Sequence, residues 1–99
     1  GPRRSPVFPD IPTVAEAGVP GYETIAWGGV IGPANLPKEI VVRLLAEIRA
    51  AYASPAVQER YRNLDTEIDG GTPAQFLALV RNETPKWAVV VKRSGAKVD

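Results

Sequence analysis

Residues 9–37 read PDIPTVAEAGVPGYETIAWGGVIGPANLP, and the remaining elements hang from this stretch. Pro9 and Pro12 hold φ on either side of Ile11, so the chain enters its first turn with little freedom. Thr13 followed three residues later by Glu16 is a capping box, in which the hydroxyl accepts an amide of the first turn and the carboxylate reaches back to the Thr13 N–H. Gly18 can take the left-handed conformation that ends a helix, so a short helix is expected between Thr13 and Gly18. Pro20-Gly21 predicts a reversal, with proline at the second turn position and glycine free to adopt φ > 0. From Tyr22 to Gly32 the chain alternates and carries Ile25, Trp27, Val30 and Ile31, which predicts a mostly buried strand. Gly28 and Gly29 inside it mark a bulge or the close approach of another element or a ligand.

Working outward, Arg3 to Pro9 suits an extended lead-in, with Arg3 and Arg4 in solvent. Gly1 and Pro2 match the remnant that a common affinity-tag protease leaves, so residues 3–99 are read as one segment. On the other side Pro37 opens a long helix as its first residue, and Ile40, Val41, Leu44, Leu45, Ile48 and Tyr52 form its apolar stripe. Glu39 and Arg43 belong to its wet face. Ser54-Pro55 starts a second helix running to about Asn63, with Val57, Tyr61 and Leu64 on its inner edge. Asp65 to Ile68 alternates polar and apolar before Asp69-Gly70-Gly71, which predicts a short edge strand. Thr72-Pro73-Ala74-Gln75 is a third start, and Phe76, Leu77, Val80, Trp87 and Val91 define the face of a last helix ending at Ser94-Gly95. Pro85 predicts a kink there, or a fresh start capped by Thr84. The expected order is short helix, strand, long helix, short helix, short strand, long helix: a helix-rich α/β arrangement around one small core.

Composition excludes several functions. A net charge of +1 with scattered basic residues argues against nucleic acid and membrane-surface partners. Without cysteine there is no disulfide framework, thiolate nucleophile or sulfur metal site, and without histidine the usual general base and transition-metal ligand are missing. Glu16 is explained by capping, and Asp65, Glu67 and Asp69, on one side of the predicted edge strand, read as a solvated stripe rather than a metal site. No carboxylate pair has the spacing of an acid–base site, and no glycine cluster has that of a phosphate loop. The chain is therefore read as neither an enzyme nor a cofactor protein. Trp27 and Trp87 read as core residues before they read as a stacking platform.

The run RSPVFPDIPTVAEAGVPGYE, followed by W-x-G-V-x-x-P-A-x-x-P from Trp27 to Pro37 and by the helical pattern ending in a tryptophan-bearing helix, resembles the substrate-binding proteins of tripartite tricarboxylate transporters, the Bug or TctC family. The resemblance runs from Arg4 to Asp99 and is similar to only the C-terminal third of such a receptor. It implies a two-lobed periplasmic-binding-protein type II-like fold, a bacterial periplasmic location, capture of a small organic acid and its delivery to membrane transporter subunits. It also makes residues 9–37 a hinge-side segment, with Thr13, Trp27, Gly28 and Gly29 as the candidate ligand contacts. Two departures are visible: Leu36 stands where the family usually has a capping residue, leaving Asn35 or water to cap the long helix, and Pro85 interrupts the final helix. With most of a receptor's ligand-holding loops outside the resemblance, this stretch alone is expected to bind organic acids poorly. Its apolar helix faces predict self-association, for instance by exchange of the C-terminal helix. The competing reading is a small helical interaction or oligomerisation module.

Overall fold

The computed structural model describes residues 1–98 and contains three helices: α1 (Lys38–Ala53), α2 (Pro55–Asn63) and α3 (Pro73–Ser94). They fall into two compact units, Gly1–Asp69 and Gly70–Asp99, of which the first carries α1 and α2 and the second α3.

In the first unit the predicted opening helix is one closed turn. The Ala17 amide donates to the Thr13 carbonyl at 2.9 Å, Val19 N–H to Val14 O at 3.2 Å and Gly18 N–H to Ala15 O at 3.3 Å, with Gly18 at φ 122°. This is the Schellman closure, arriving so soon after the cap that no regular helix separates the two. The Pro20-Gly21 reversal forms as predicted: Tyr22 N–H reaches Val19 O at 3.1 Å and Gly21 sits at φ 79°.

The strand expected over Tyr22–Gly32 is not formed; the segment is irregular, as are residues 66–72, and the described residues contain no ladder. β-propensity measures how well a residue fits a pleated surface against neighbours, and neither segment has a neighbouring strand here to pair with. The α/β expectation is corrected accordingly: the described fold is helical. The edge strand over Asp65–Ile68 gives way to a second Schellman closure at the end of α2, with Asp65 at φ 49°, its amide on Arg62 O at 3.0 Å and Thr66 N–H on Tyr61 O at 3.0 Å. The carboxylate stripe that the strand would have created does not form either.

The helix starts illustrate how far local chemistry reaches. Pro37 is the N-cap of α1 rather than its first residue, with ψ 138°, and no side chain caps it; Asn35 instead adopts φ 62°. The α2 boundaries coincide with the predicted ones, although the Ser54 hydroxyl makes no capping bond. At α3 the full capping box closes, Gln75 N–H on Thr72 Oγ at 3.2 Å and Thr72 N–H on Gln75 Oε1 at 2.8 Å, and Gly95 ends the helix at φ 68°. Pro85 does not restart it. The helix runs through, and the Thr84 hydroxyl, instead of capping, donates to Val80 O at 2.7 Å.

α1 packs on α2, with the Tyr52 and Tyr61 rings edge to face at 6.0 Å between centroids. Val41, Leu45, Ile48 and Tyr52 are the half-buried side of α1, and Phe76, Val80, Glu83 and Trp87 that of α3, each at helical spacing. Among the described residues, however, no side chain is fully buried. The single core expected from the length is not closed: Leu44 remains 47% exposed, Leu64 67% and Leu77 48%.

Candidate functional site

The capped turn places Thr13 of the sequence-predicted site in a closed hydrogen-bonded box. Thr13 Oγ accepts the Glu16 N–H at 3.2 Å, and Glu16 Oε2 accepts both the Thr13 N–H at 2.9 Å and Arg4 Nε at 2.8 Å. The amide hydrogen bond from Thr13, then the Arg4 guanidinium, hold the Glu16 carboxyl below its ordinary value. Thr13 therefore spends its amide and one lone pair on its own turn, leaving the hydroxyl proton as what its side chain can offer a ligand.

Trp27, Gly28 and Gly29 lie on the irregular segment that follows the reversal, exposed to solvent. Trp27 is 40% exposed, so the reading as a closed core residue does not hold, whereas Trp87 is half-buried and donates its indole N–H to Glu83 Oε2 at 2.7 Å. Open space surrounds the position a Cβ would take at Gly28, so no tight backbone approach explains that glycine.

A cleft that this unit does form lies elsewhere, beside the C-terminal end of α2. Pro6 and Val7 face Tyr61, Arg62 and Ile68 across about 250 Å³ of solvent-open space, and none of Thr13, Trp27, Gly28 or Gly29 lines it. Its rim carboxylates are engaged, Glu67 by Arg3 Nη2 at 3.0 Å and Asp65 by the Ser5 hydroxyl at 2.6 Å. Arg3 and Arg4, expected to be solvated, are thus both ion-paired, although they keep 79% and 45% of their side-chain surface exposed. Sequence reasoning had no signal for these contacts, because Arg3 and Ser5 find partners 64 and 60 residues away. No described group of three or more acidic residues is arranged to hold a metal ion, and no described helix is long and apolar enough to cross a membrane.

Comparison with known proteins adds what this geometry lacks. The model of the tripartite tricarboxylate transporter family receptor matches residues 1–96. The chain is 40% identical over 89% of its length to the UPF0065 protein in the tcbD-tcbE intergenic region of Pseudomonas sp. strain P51, where the match spans 26% of the relative. It is 35% identical over 96% of its length to protein BugT of Bordetella pertussis, spanning 29% of that protein. To the UPF0065 protein in the TAR-I ttuE-ttuC' intergenic region of Agrobacterium vitis it is 33% identical over 93% of its length, spanning 28%. The chain thus covers little more than a quarter of the length of these relatives. No solved structure matches it.

Proposed function

Since the chain belongs to the tripartite tricarboxylate transporter receptor family, we propose that it serves as part of a periplasmic solute-binding receptor that captures a small organic carboxylate and delivers it to the membrane subunits of its transporter. The observation that carries this reading is the family match across residues 1–96. In that receptor the apolar sides of α1 and α3 rest on the remainder of a two-lobed fold, which accounts for an amphipathic pattern that closes no core by itself. Thr13, Trp27, Gly28 and Gly29 face the ligand: a hydroxyl donor, an aromatic face and a stretch of backbone without side chains, suited to a carboxylate on a small carbon frame.

The 99 residues alone bind carboxylates weakly, since the clefts beside α2 are wide open and the rim groups of the one next to Pro6 and Val7 are already paired, Glu67 with Arg3 and Asp65 with Ser5. They also self-associate, because exposed apolar surface such as Val89, Val90 and Val91 on α3 tends to find a partner; exchange of α3 between two copies is the route we favour. In a receptor carrying this stretch, calorimetric titration with mono-, di- and tricarboxylates finds a ligand, and Trp27→Ala weakens it about tenfold, the order of one lost aromatic contact. Titration of the isolated chain by NMR with the same acids gives no saturable shift. A receptor that binds no carboxylate overturns the reading, and saturable micromolar binding by the chain alone overturns its incompetence. Light scattering that reports a monomer at every concentration removes the exchange of α3.

A further inference from the structure

We propose that Arg3, Arg4 and Ser5 form a clasp coupling the Thr13–Gly18 turn to the C-terminal end of α2, so that a displacement at either is felt at the other. Three consecutive side chains grip two stretches of chain far apart in sequence: Arg4 holds Glu16 at 2.8 Å, while Arg3 holds Glu67 at 3.0 Å and Ser5 holds Asp65 at 2.6 Å. Ser5 is the hub. Its hydroxyl donates to Asp65 Oδ1 and accepts the amides of Val7 at 3.1 Å and Phe8 at 3.3 Å, so its proton and both lone pairs are engaged. Phe8 N–H also reaches the Ser5 carbonyl at 3.2 Å, closing residues 5–8 into a turn.

Both targets of the clasp are themselves fixed in place. Asp65 is the left-handed residue of the closure that ends α2, and Glu16 is the carboxylate of the capping box, sharing one oxygen between Arg4 and the Thr13 amide. Because consecutive Cα atoms are about 3.8 Å apart, the backbone from residue 3 to residue 5 has almost no slack. A shift of the segment around Asp65 then passes through Ser5 and Arg3 to Arg4 and Glu16, to the extent that the exposed arginine side chains do not absorb it by rotation. Pro6 and Val7 follow the same residues, so the clasp also sets the near wall of the cleft against Tyr61. The ion pairs are exposed, which makes the link adjustable by ionic strength rather than permanent. The coupling does not depend on Thr13 touching a ligand, and it stands or falls separately from the receptor reading.

The test is amide NMR and hydrogen exchange on the chain. Ser5→Ala shifts the amides of Thr13–Gly18 and of Thr66–Ile68 together and speeds exchange at Val7 and Phe8 about tenfold, as expected for lost hydrogen bonds, while Ser5→Thr restores both. Glu67→Gln moves the Thr13–Gly18 amides as well, and the charge swap R3E/E67R returns them. Raising salt from about 0.05 to about 0.5 M moves the Thr66–Ile68 amides of the unaltered chain toward their E67Q positions and leaves those same amides of E67Q nearly unchanged, while the Thr13–Gly18 amides respond in both, because E67Q keeps the exposed Arg4–Glu16 pair. Perturbations confined to residues 3–8 and 65–68 overturn the clasp, as does insensitivity of the Thr13–Gly18 amides to salt. Absence of exchange protection in α2 also overturns it, since the clasp requires that helix end to be formed.

Discussion

Pro85 is where local rules and the observed helix disagree most, and replacing it by alanine tests why α3 survives. Proline brings no N–H to the Arg81 carbonyl, and its ring crowds the preceding turn, a cost of about 3 kcal/mol relative to alanine in a helix interior. Alanine also frees the unfolded chain, which offsets about 0.4–1 kcal/mol, so P85A stabilises α3 by about 2 kcal/mol. That is more than a tenfold change in the opening equilibrium. Far-UV circular dichroism should rise, and amide exchange from about residue 82 to residue 89 should slow at least tenfold. The Thr84 hydroxyl on Val80 O supplies an internal control. T84V removes that bond and costs about 0.5–1 kcal/mol in either background, because the carbonyl that the proline leaves open is that of Arg81 and not of Val80. If P85A leaves helicity unchanged or lowers it, the proline is not the weak point of α3 and the reasoning fails.

Three further outcomes follow from local geometry. Thr72→Ala removes the acceptor for the Gln75 amide and lowers the stability of α3 by about 1 kcal/mol in thermal melts, whereas Thr72→Ser retains the box. The folded Glu16 carboxyl titrates below its ordinary value of 4.5, so the turn gains stability that is fully present above that value and is lost as pH falls through the lower folded one. Protection of the Thr13 amide, its exchange measured by NMR against the intrinsic rate at each pH, should fall in step over that acid range, and a flat protection profile refutes the assignment. Gly21→Ala at φ 79° destabilises the reversal by about 1–2 kcal/mol, seen as lost protection of the Tyr22 amide, and Gly21→Asn costs less.

What could be read in advance was what closes within a few residues. The boxes at Thr13 and Thr72, the Pro20-Gly21 reversal, the extent of α2 and the stop at Gly95 each depend on atoms no more than five positions apart, so the residue types alone specify them. The strand over Tyr22–Gly32 was not such a case. Its ladder must come from another stretch of chain, and Ile25, Val30 and Ile31 advertise a pleated surface without supplying the neighbour; Ile31 is left 85% exposed. The contacts of Arg3 and Ser5 failed for the same reason, because nothing in an RRS tripeptide announces which carboxylates sixty residues later will meet it. The candidate site was legible only through resemblance, and the geometry qualifies it unevenly: Thr13 is committed to its own cap, Trp27 is 40% exposed, and open space surrounds Gly28.

The apolar pattern itself makes the last step of the argument. α1 carries Val41, Leu45, Ile48 and Tyr52 at helical spacing and α3 carries Phe76, Val80 and Trp87, yet none of the seven is fully buried. A stripe of that regularity is costly to keep in water, at about 25 cal/mol for each Å² of apolar surface left wet, and the docking on a larger receptor fold that we propose would remove that cost. On that proposal the capping box and the Gly95 stop of α3 would serve to order the helix before it docks, so that docking costs less ordering entropy.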